Sequence, residues 1–209
     1  MSKKRTASSK RWLAEHESDP YVLRARHEGY RSRSAYKLEE LDQRDRLLKP
    51  GIKVVDLGAA PGGWCQYIQR RHGDKVKILA LDILPMDPLP SVTFILGDFR
   101  EASVLSQLET ALGGAQADLV LSDLAPNISG IDVADQAGSV HLAELALDFT
   151  TTHLRPGGTF LVKMFQGEGF DGFLKNLRQG FEKVVIRKPQ ASRARSREVY
   201  LLARNRRVR

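Results

Sequence analysis

The sequence predicts an α/β fold whose mostly parallel, seven-stranded sheet ends in a C-terminal antiparallel hairpin. From Lys53 onward, short apolar runs alternate with amphipathic segments of helical length. Runs that are apolar on both faces belong to parallel strands covered by helices on each side. The last two runs have only turn material between them, which suits a hairpin at the sheet edge and not another crossover. With 209 residues the chain has the length of one ordinary domain.

The elements follow in order. Residues 1–33 read as a basic N-terminal extension suited to a polyanion, and residues 34–209 as the domain. Helical periodicity starts near Ser34, with Tyr36, Leu38 and Leu41 at helical spacing. Ser32 or Ser34 caps that helix, and Pro50-Gly51 ends the approach to the core. Strands are expected at 54–57, 78–81, 92–96, 119–121 and 159–162, then at 184–187 and 199–203 for the hairpin. Helices are expected near 62–71, 101–112, 134–153 and 170–180. Five crossing strands followed by a hairpin make the order of a Rossmann-like sheet.

Composition narrows the function. The net charge of +8 is uneven: residues 1–37 carry +6 and residues 187–209 carry +8, leaving −6 for the middle. An acidic body with two basic ends suits a catalytic domain that grips a polyanion through its termini. Lys3, Lys4, Arg5, Lys10, Arg11, Arg193, Arg195 and Arg197 are the expected phosphate contacts; basic tails that only confer solubility are the bland alternative. Cys65 stands alone, which excludes an intramolecular disulfide and fits a reducing compartment. The five histidines lack ligand spacing, so no metal is expected. No stretch is apolar for long enough to span a membrane, and the basic start leads into no apolar signal core. A mitochondrial presequence shares that Ser- and Arg-rich start, but a cytoplasmic bacterial protein is the expectation.

Val54 to Trp64 reads as a strand, a Gly-rich turn and a helix start. In open α/β sheets ligands bind outside the carboxyl ends of the strands, where this turn must lie. Its spacing departs from the dinucleotide G-x-G-x-x-G, since Ala60 takes the middle position, and the Gly-Lys-Ser/Thr ending of a phosphate loop is missing. Asp82 ends the second strand, where a carboxylate can accept from both ribose hydroxyls. Asp98 follows the third strand and can accept from an adenine amino group. Each alone also reads as a helix cap or turn former. With Asp56, three acids at three successive strand ends describe an adenosine-shaped pocket without a phosphate site, which S-adenosylmethionine matches.

Six motifs carry a resemblance. They are Arg33-Ser-Ala-Tyr-Lys-Leu38, Asp56-Leu-Gly-Ala-Ala-Pro-Gly-Gly-Trp64, Asp82-Ile-Leu-Pro-Met-Asp87, Ser122-Asp-Leu-Ala-Pro-Asn127, Val162-Lys-Met-Phe-Gln-Gly-Glu-Gly-Phe-Asp171 and Ser192-Arg-Ala-Arg-Ser-Arg-Glu-Val-Tyr200. In this order they resemble the FtsJ-type ribosomal RNA ribose methyltransferases, over essentially the whole chain. The resemblance implies a Rossmann-like S-adenosylmethionine-dependent methyltransferase fold and a Lys37, Asp123, Lys163, Glu198 tetrad. It also implies cofactor contacts from Gly62, Trp64, Asp82, Asp98 and Asp123. The implied reaction is 2′-O-methylation of a uridine in large-subunit ribosomal RNA, within the assembled 50S subunit, as an aid to ribosome assembly. No residue here reads out a base or an oligomeric state; a monomer is the expectation.

The chemistry of the residues agrees. Asp123 ends the fourth strand and Lys163 lies in an apolar one, an unusual place for an ammonium group unless it snorkels out. Lys37 has Glu40 three residues on, so a surface ion pair is its bland reading, and Glu198 reads equally as a cross-strand partner for arginine. Methyl transfer from a sulfonium needs only an oriented hydroxyl that loses its proton. Lys163 is the candidate base if burial and Lys37 make it easier to deprotonate; otherwise it orients the hydroxyl. Asp123-Leu-Ala-Pro126 is close to the loop of amine methyltransferases, but Asn127 stands where those have a base-stacking aromatic. That favours a hydroxyl acceptor. The rivals are a small-molecule or nucleobase methyltransferase, a non-catalytic assembly factor and an NAD-dependent oxidoreductase; the basic ends, the full tetrad and the glycine spacing count against them in turn.

Overall fold

The computed structural model describes residues 18–126 and 132–208. Its elements are α1 (Pro20–His27), α2 (Ser34–Asp45), β1 (Lys53–Leu57), α3 (Gly63–His72), β2 (Lys77–Asp82), β3 (Val92–Leu96), α4 (Ala102–Leu112), β4 (Ala117–Ser122), α5 (Asp132–His153), β5 (Leu154–Phe165), α6 (Phe170–Gly180), β6 (Phe181–Arg187) and β7 (Glu198–Arg206). The strands join in one seven-stranded sheet of order β3-β2-β1-β4-β5-β7-β6. The first five are parallel, and β7 runs antiparallel between β5 and β6.

Alternation along the strands divides the core in two. Val55, Leu57, Val120 and Val162 face α4, α5 and α6, packing on Leu108, Phe149 and Phe173. Val54, Leu119, Leu161 and Leu202 face α2 and α3, packing on Leu38, Trp64 and Ile68. Period-two alternation therefore puts Lys163, two residues after Leu161, on the α2 face. The strand order reverses between β1 and β4, so their carboxyl ends border the crevice where open α/β sheets place ligands.

Two elements differ from the sequence expectation. Residues 20–27 form a helix inside the stretch read as a basic extension, and Val22 and Ala25 are buried, so its described part packs on the domain. Asp19 caps this helix by accepting from Tyr21 N at 2.9 Å, with Pro20 at its first turn. β5 begins at Leu154, not 159, because the Pro156-Gly157-Gly158 stretch makes an irregularity within the strand, with Ala117 opposite Leu154 and Leu119 opposite Thr159. Neither Ser32 nor Ser34 caps α2: the N-cap position is Arg33, with no side-chain cap bond, and Ser32, one residue before it, accepts from Ser34 N through Oγ at 3.1 Å. The helix ends at Asp45, before Pro50-Gly51, because Arg46 adopts a left-handed conformation and Asp42 captures Leu48 N at 2.8 Å.

Candidate active site

The residues expected to act gather where β4, β5, β7 and α2 meet. Lys163 Nζ donates to the backbone carbonyl of Asp123 at 2.6 Å and lies 3.1 Å from Asp123 Oδ1. The same Oδ1 accepts the Tyr200 hydroxyl at 2.8 Å. Across the sheet face, Lys37 Nζ pairs with Glu198 Oε1 at 2.7 Å. Ser192 Oγ donates to that oxygen at 2.6 Å, so Glu198 is fixed from two sides. The tetrad is thus two cation–carboxylate pairs, and Tyr200 joins them: its hydroxyl serves Asp123 while Lys37 Nζ stands 5.7 Å from its ring centre.

The electrostatics follow from burial. Burial opposes charge on Asp123, yet Lys163 and Lys37, with the hydrogen bonds of Tyr200 and Lys163, hold its carboxyl below the usual carboxylate range. Burial pushes the Tyr200 phenol well up, and the charges of Asp123 and Glu198 add to this, so it stays a donor. The two bland ion-pair readings do not hold. Glu40 is taken by the backbone N–H groups of Gln190 and Ala191 at 2.5 and 2.9 Å, and Glu198 pairs with a lysine. Lys163 is 9% exposed, too buried for a snorkelling strand-end lysine.

Lys37 and Glu198 open onto a cleft of about 910 Å³, whose rim includes Arg33, Arg193, Arg195 and Arg197. Arg33 and Arg193 share Asp19, the former in a direct ion pair and the latter at 3.7 Å. Lys3, Lys4, Arg5, Lys10 and Arg11 lie outside the described residues, as does Asn127.

On the cofactor side, Asp82 Oδ2 accepts from Ala60 N at 2.8 Å and Oδ1 from Leu84 N at 2.8 Å. Asp98 is engaged by Arg100, whose Nε stands 2.9 Å from both carboxylate oxygens, and that bonding holds its carboxyl low. An adenine amino group reaches Asp98 only by sharing it with Arg100. The Trp64 indole is buried; its Nε1 donates to Ser34 O at 2.8 Å and its ring lies 5.9 Å from that of Tyr200. Asp56 faces inward to Cys65, whose thiol donates to Oδ2 at 3.2 Å.

One bridge joins the two halves. Arg31 donates to the carbonyls of Pro61, Asp87 and Pro88 at 3.3, 2.6 and 2.9 Å, and its backbone N–H donates to Gln66 Oε1 at 2.9 Å. The segment that reaches the cleft through Arg33 and Lys37 is therefore stapled to the glycine turn and its helix. Sequence reasoning missed Arg31 and the role of Tyr200. For Tyr200 a signal existed, since it lies two residues after Glu198 on one strand face.

The FtsJ-like methyltransferase pattern matches residues 30–206. The chain belongs to the FtsJ-like methyltransferase family. It is 62% identical over 199 residues to an Azoarcus sp. protein named ribosomal RNA large subunit methyltransferase E, covering 95% of this chain and 97% of that one. A protein of the same name from Xanthomonas euvesicatoria is 61% identical, covering 98% and 97%. Among solved structures, a Plasmodium falciparum protein described as a ribosomal RNA methyltransferase superposes with a TM-score of 0.78 at 35% identity, over 86% of this chain and 100% of that chain. The fold alone is shared with human methyltransferase-like protein 13, at 16% identity and a TM-score of 0.55.

The FtsJ-like enzyme uses S-adenosylmethionine, and its residues fit that cofactor. Gly58 has φ +80°, and a Cβ there would stand 2.8 Å from Leu124 Cδ2, so the turn beside the crevice admits only glycine. Asp82 is followed by exposed Ile83 and Leu84 and paired with exposed Leu96, an apolar surface beside a carboxylate, as a nucleoside requires. When bound, the cofactor supplies a methyl group made electrophilic by its sulfonium. Among the described residues no helix is long and apolar enough to cross a membrane, and no cluster of His, Cys, Asp and Glu is arranged to hold a metal.

Proposed function

We propose that this enzyme methylates a ribose 2′-hydroxyl, on a uridine of large-subunit ribosomal RNA in the assembled 50S subunit, in the bacterial cytoplasm. The observation that carries the reading is the buried Lys163–Asp123 pair beside a cleft rimmed by arginines. A basic rim suits a phosphodiester backbone, and an ammonium group next to a carboxylate suits a neutral hydroxyl acceptor. The names of the relatives supply the ribosomal RNA and the large subunit; the uridine and the 2′-position come from the motif resemblance.

An ammonium has three donors. Two of those of Lys163 are directed to Asp123, at its carbonyl and its carboxylate. The third position is the one that meets the reacting hydroxyl. Protonated, it orients the hydroxyl oxygen and stabilises developing oxyanion character while the hydroxyl proton passes to water; deprotonated, it takes that proton itself. Asp123 fixes the lysine, Tyr200 fixes Asp123, and Lys37 with Glu198 forms the wall on the cleft side. Gly62, Trp64, Asp82, Asp98 and Asp123 are the residues we assign to the cofactor, with Trp64 acting through the backbone at the helix start because its indole is spent on Ser34. Arg193, Arg195 and Arg197 are assigned to phosphates, together with the basic residues of the 1–33 segment. We take the working form to be a monomer.

Labelled methyl transfer to ribosomal particles from a strain lacking the gene, followed by mapping of the modified nucleotide, tests this reading. Label on a uridine ribose is expected. Label on a base, or on a protein, overturns it.

A further inference from the structure

Among the described residues, the cleft is lined by one aromatic side chain, Phe165, and by residues that are otherwise polar or charged. Phe165 sits on the same face of β5 as Lys163, two residues further on, about 6.6 Å along the strand. It pairs across to Glu198 as Lys163 pairs to Tyr200, and it is only half-buried. In a nucleotide the base is attached to C1′, the carbon next to the one that carries the 2′-hydroxyl. A ribose held at Lys163 therefore keeps its base within reach of the Phe165 ring.

A second observation concerns Gln136 on α5. Its Nε2 donates to Phe165 O at 2.9 Å and to Glu168 O at 3.0 Å. Both partners are carbonyls, which only the amide nitrogen can serve, so the direction of the amide is fixed by chemistry. Gln136 is 6% exposed and lines the same cleft, yet its Oε1 has no hydrogen-bond partner among the described residues. A buried acceptor held in place and left unpaired is costly and suits a ligand that brings a donor.

We infer that Phe165 and Gln136 form a nucleobase subsite: the base of the methylated nucleotide stacks on the Phe165 ring and offers an N–H to Gln136 Oε1. The subsite rests on the ribose-methylation reading above. Stacking tolerates any base because each has a π-face. An edge acceptor adds a preference for bases with an N–H on that edge, which uracil satisfies through its ring N–H. A base turned out of its stack is thereby held while the ribose is presented to Lys163.

Phe165→Leu keeps apolar bulk and removes the ring, whereas Phe165→Tyr keeps the ring. Binding of each full-length variant to unmodified ribosomal particles is measured beside the single-turnover rate at saturation and the affinity for adenosylhomocysteine. Phe165→Leu is expected to bind particles about ten-fold more weakly, with Phe165→Tyr near wild type and cofactor affinity unchanged in both. Gln136→Met is expected to weaken particle binding about three-fold. If Phe165→Leu binds particles normally while only its rate falls, the ring merely seats Lys163 and the subsite is wrong. Equal loss in the Leu and Tyr variants also overturns stacking, and normal particle binding by Gln136→Met overturns the edge contact. Failure of the wild-type protein to label particle RNA would instead remove the functional reading itself.

Discussion

Lys163 meets Asp123 twice, through the backbone carbonyl at 2.6 Å and the side-chain oxygen Oδ1 at 3.1 Å. A carboxylate-only contact would let the lysine swing with the side chain. The carbonyl contact ties it to the end of β4, at the border of the crevice, and fixes where its remaining valence points. Lys163→Ala is expected to lower single-turnover transfer by about 10²–10⁴-fold with cofactor affinity near wild type. Lys163→Arg should not rescue, because the guanidinium keeps its proton and has a different shape. Retention of a substantial fraction of the wild-type rate by Lys163→Ala would falsify the assignment. Glu198→Ala should cost less, since Glu198 touches Lys37 and Ser192 and not Lys163.

The cofactor side is tested at Asp82. Its two oxygens already accept from Ala60 and Leu84, so its orientation is set before any nucleoside arrives. Asp82→Ala should weaken S-adenosylmethionine binding by about 1–3 kcal/mol through lost hydrogen bonds. Calorimetry should detect no binding of NAD, for which the turn offers no pyrophosphate site. Wild-type affinity in Asp82→Ala would move the ribose elsewhere.

The arginine rim should report in salt dependence. Replacing Arg193, Arg195 and Arg197 by Gln is expected to weaken RNA binding and flatten its logarithmic salt slope by about 0.7–0.9 per lost phosphate contact. Adenosylhomocysteine affinity is the control and should not move. An unchanged slope would assign these arginines to intramolecular pairing alone.

Asp56 gives a stability prediction. Burial pushes its carboxyl up to about 7, the charges of Asp123 and Asp82 add to this, and the Cys65 thiol partly opposes it. Between the ordinary carboxylate value of 3.8 and about 7, the folded chain holds a proton that the unfolded chain has released. Folded protein therefore binds more protons in that window, and the Asp56 contribution to stability falls as pH rises through it. The slope approaches about 1.4 kcal/mol per pH unit at most. Asp56→Asn, neutral throughout, should lose this slope; urea midpoints of both proteins from pH 4 to 8 provide the comparison. Parallel curves would mean that Asp56 is ionised in the fold.

Much of the fold is legible in the sequence because buried parallel strands are written as apolar runs: β1, β2 and β3 lie within a residue or so of where their runs predict them. Helix α1 is not, because its short, charged sequence looks like the tail before it; only Asp19-Pro20 signals its start. The extra length of β5 is hidden by a Pro-Gly-Gly stretch that reads as a turn. At the site, motif resemblance points to Lys37 and Glu198 separately, but their pairing spans α2 and β7, and local spacing favours Glu40. The Arg100–Asp98 contact is equally invisible to a reading that assigns each acid to one ligand. Pair contacts between distant segments are tertiary facts, set by how the helices pack on the sheet.

The stapling of Arg31 to the carbonyls of Pro61, Asp87 and Pro88, with Trp64 bonded to Ser34, gives the proposed donor and acceptor compartments a common wall. Redesign is constrained accordingly. A substitution between residues 31 and 34 chosen to admit a different RNA is also a substitution in the frame of the donor pocket. Substrate range in this scaffold is therefore more freely altered from α5, at Gln136, where no such fastening to the glycine turn exists among the described contacts.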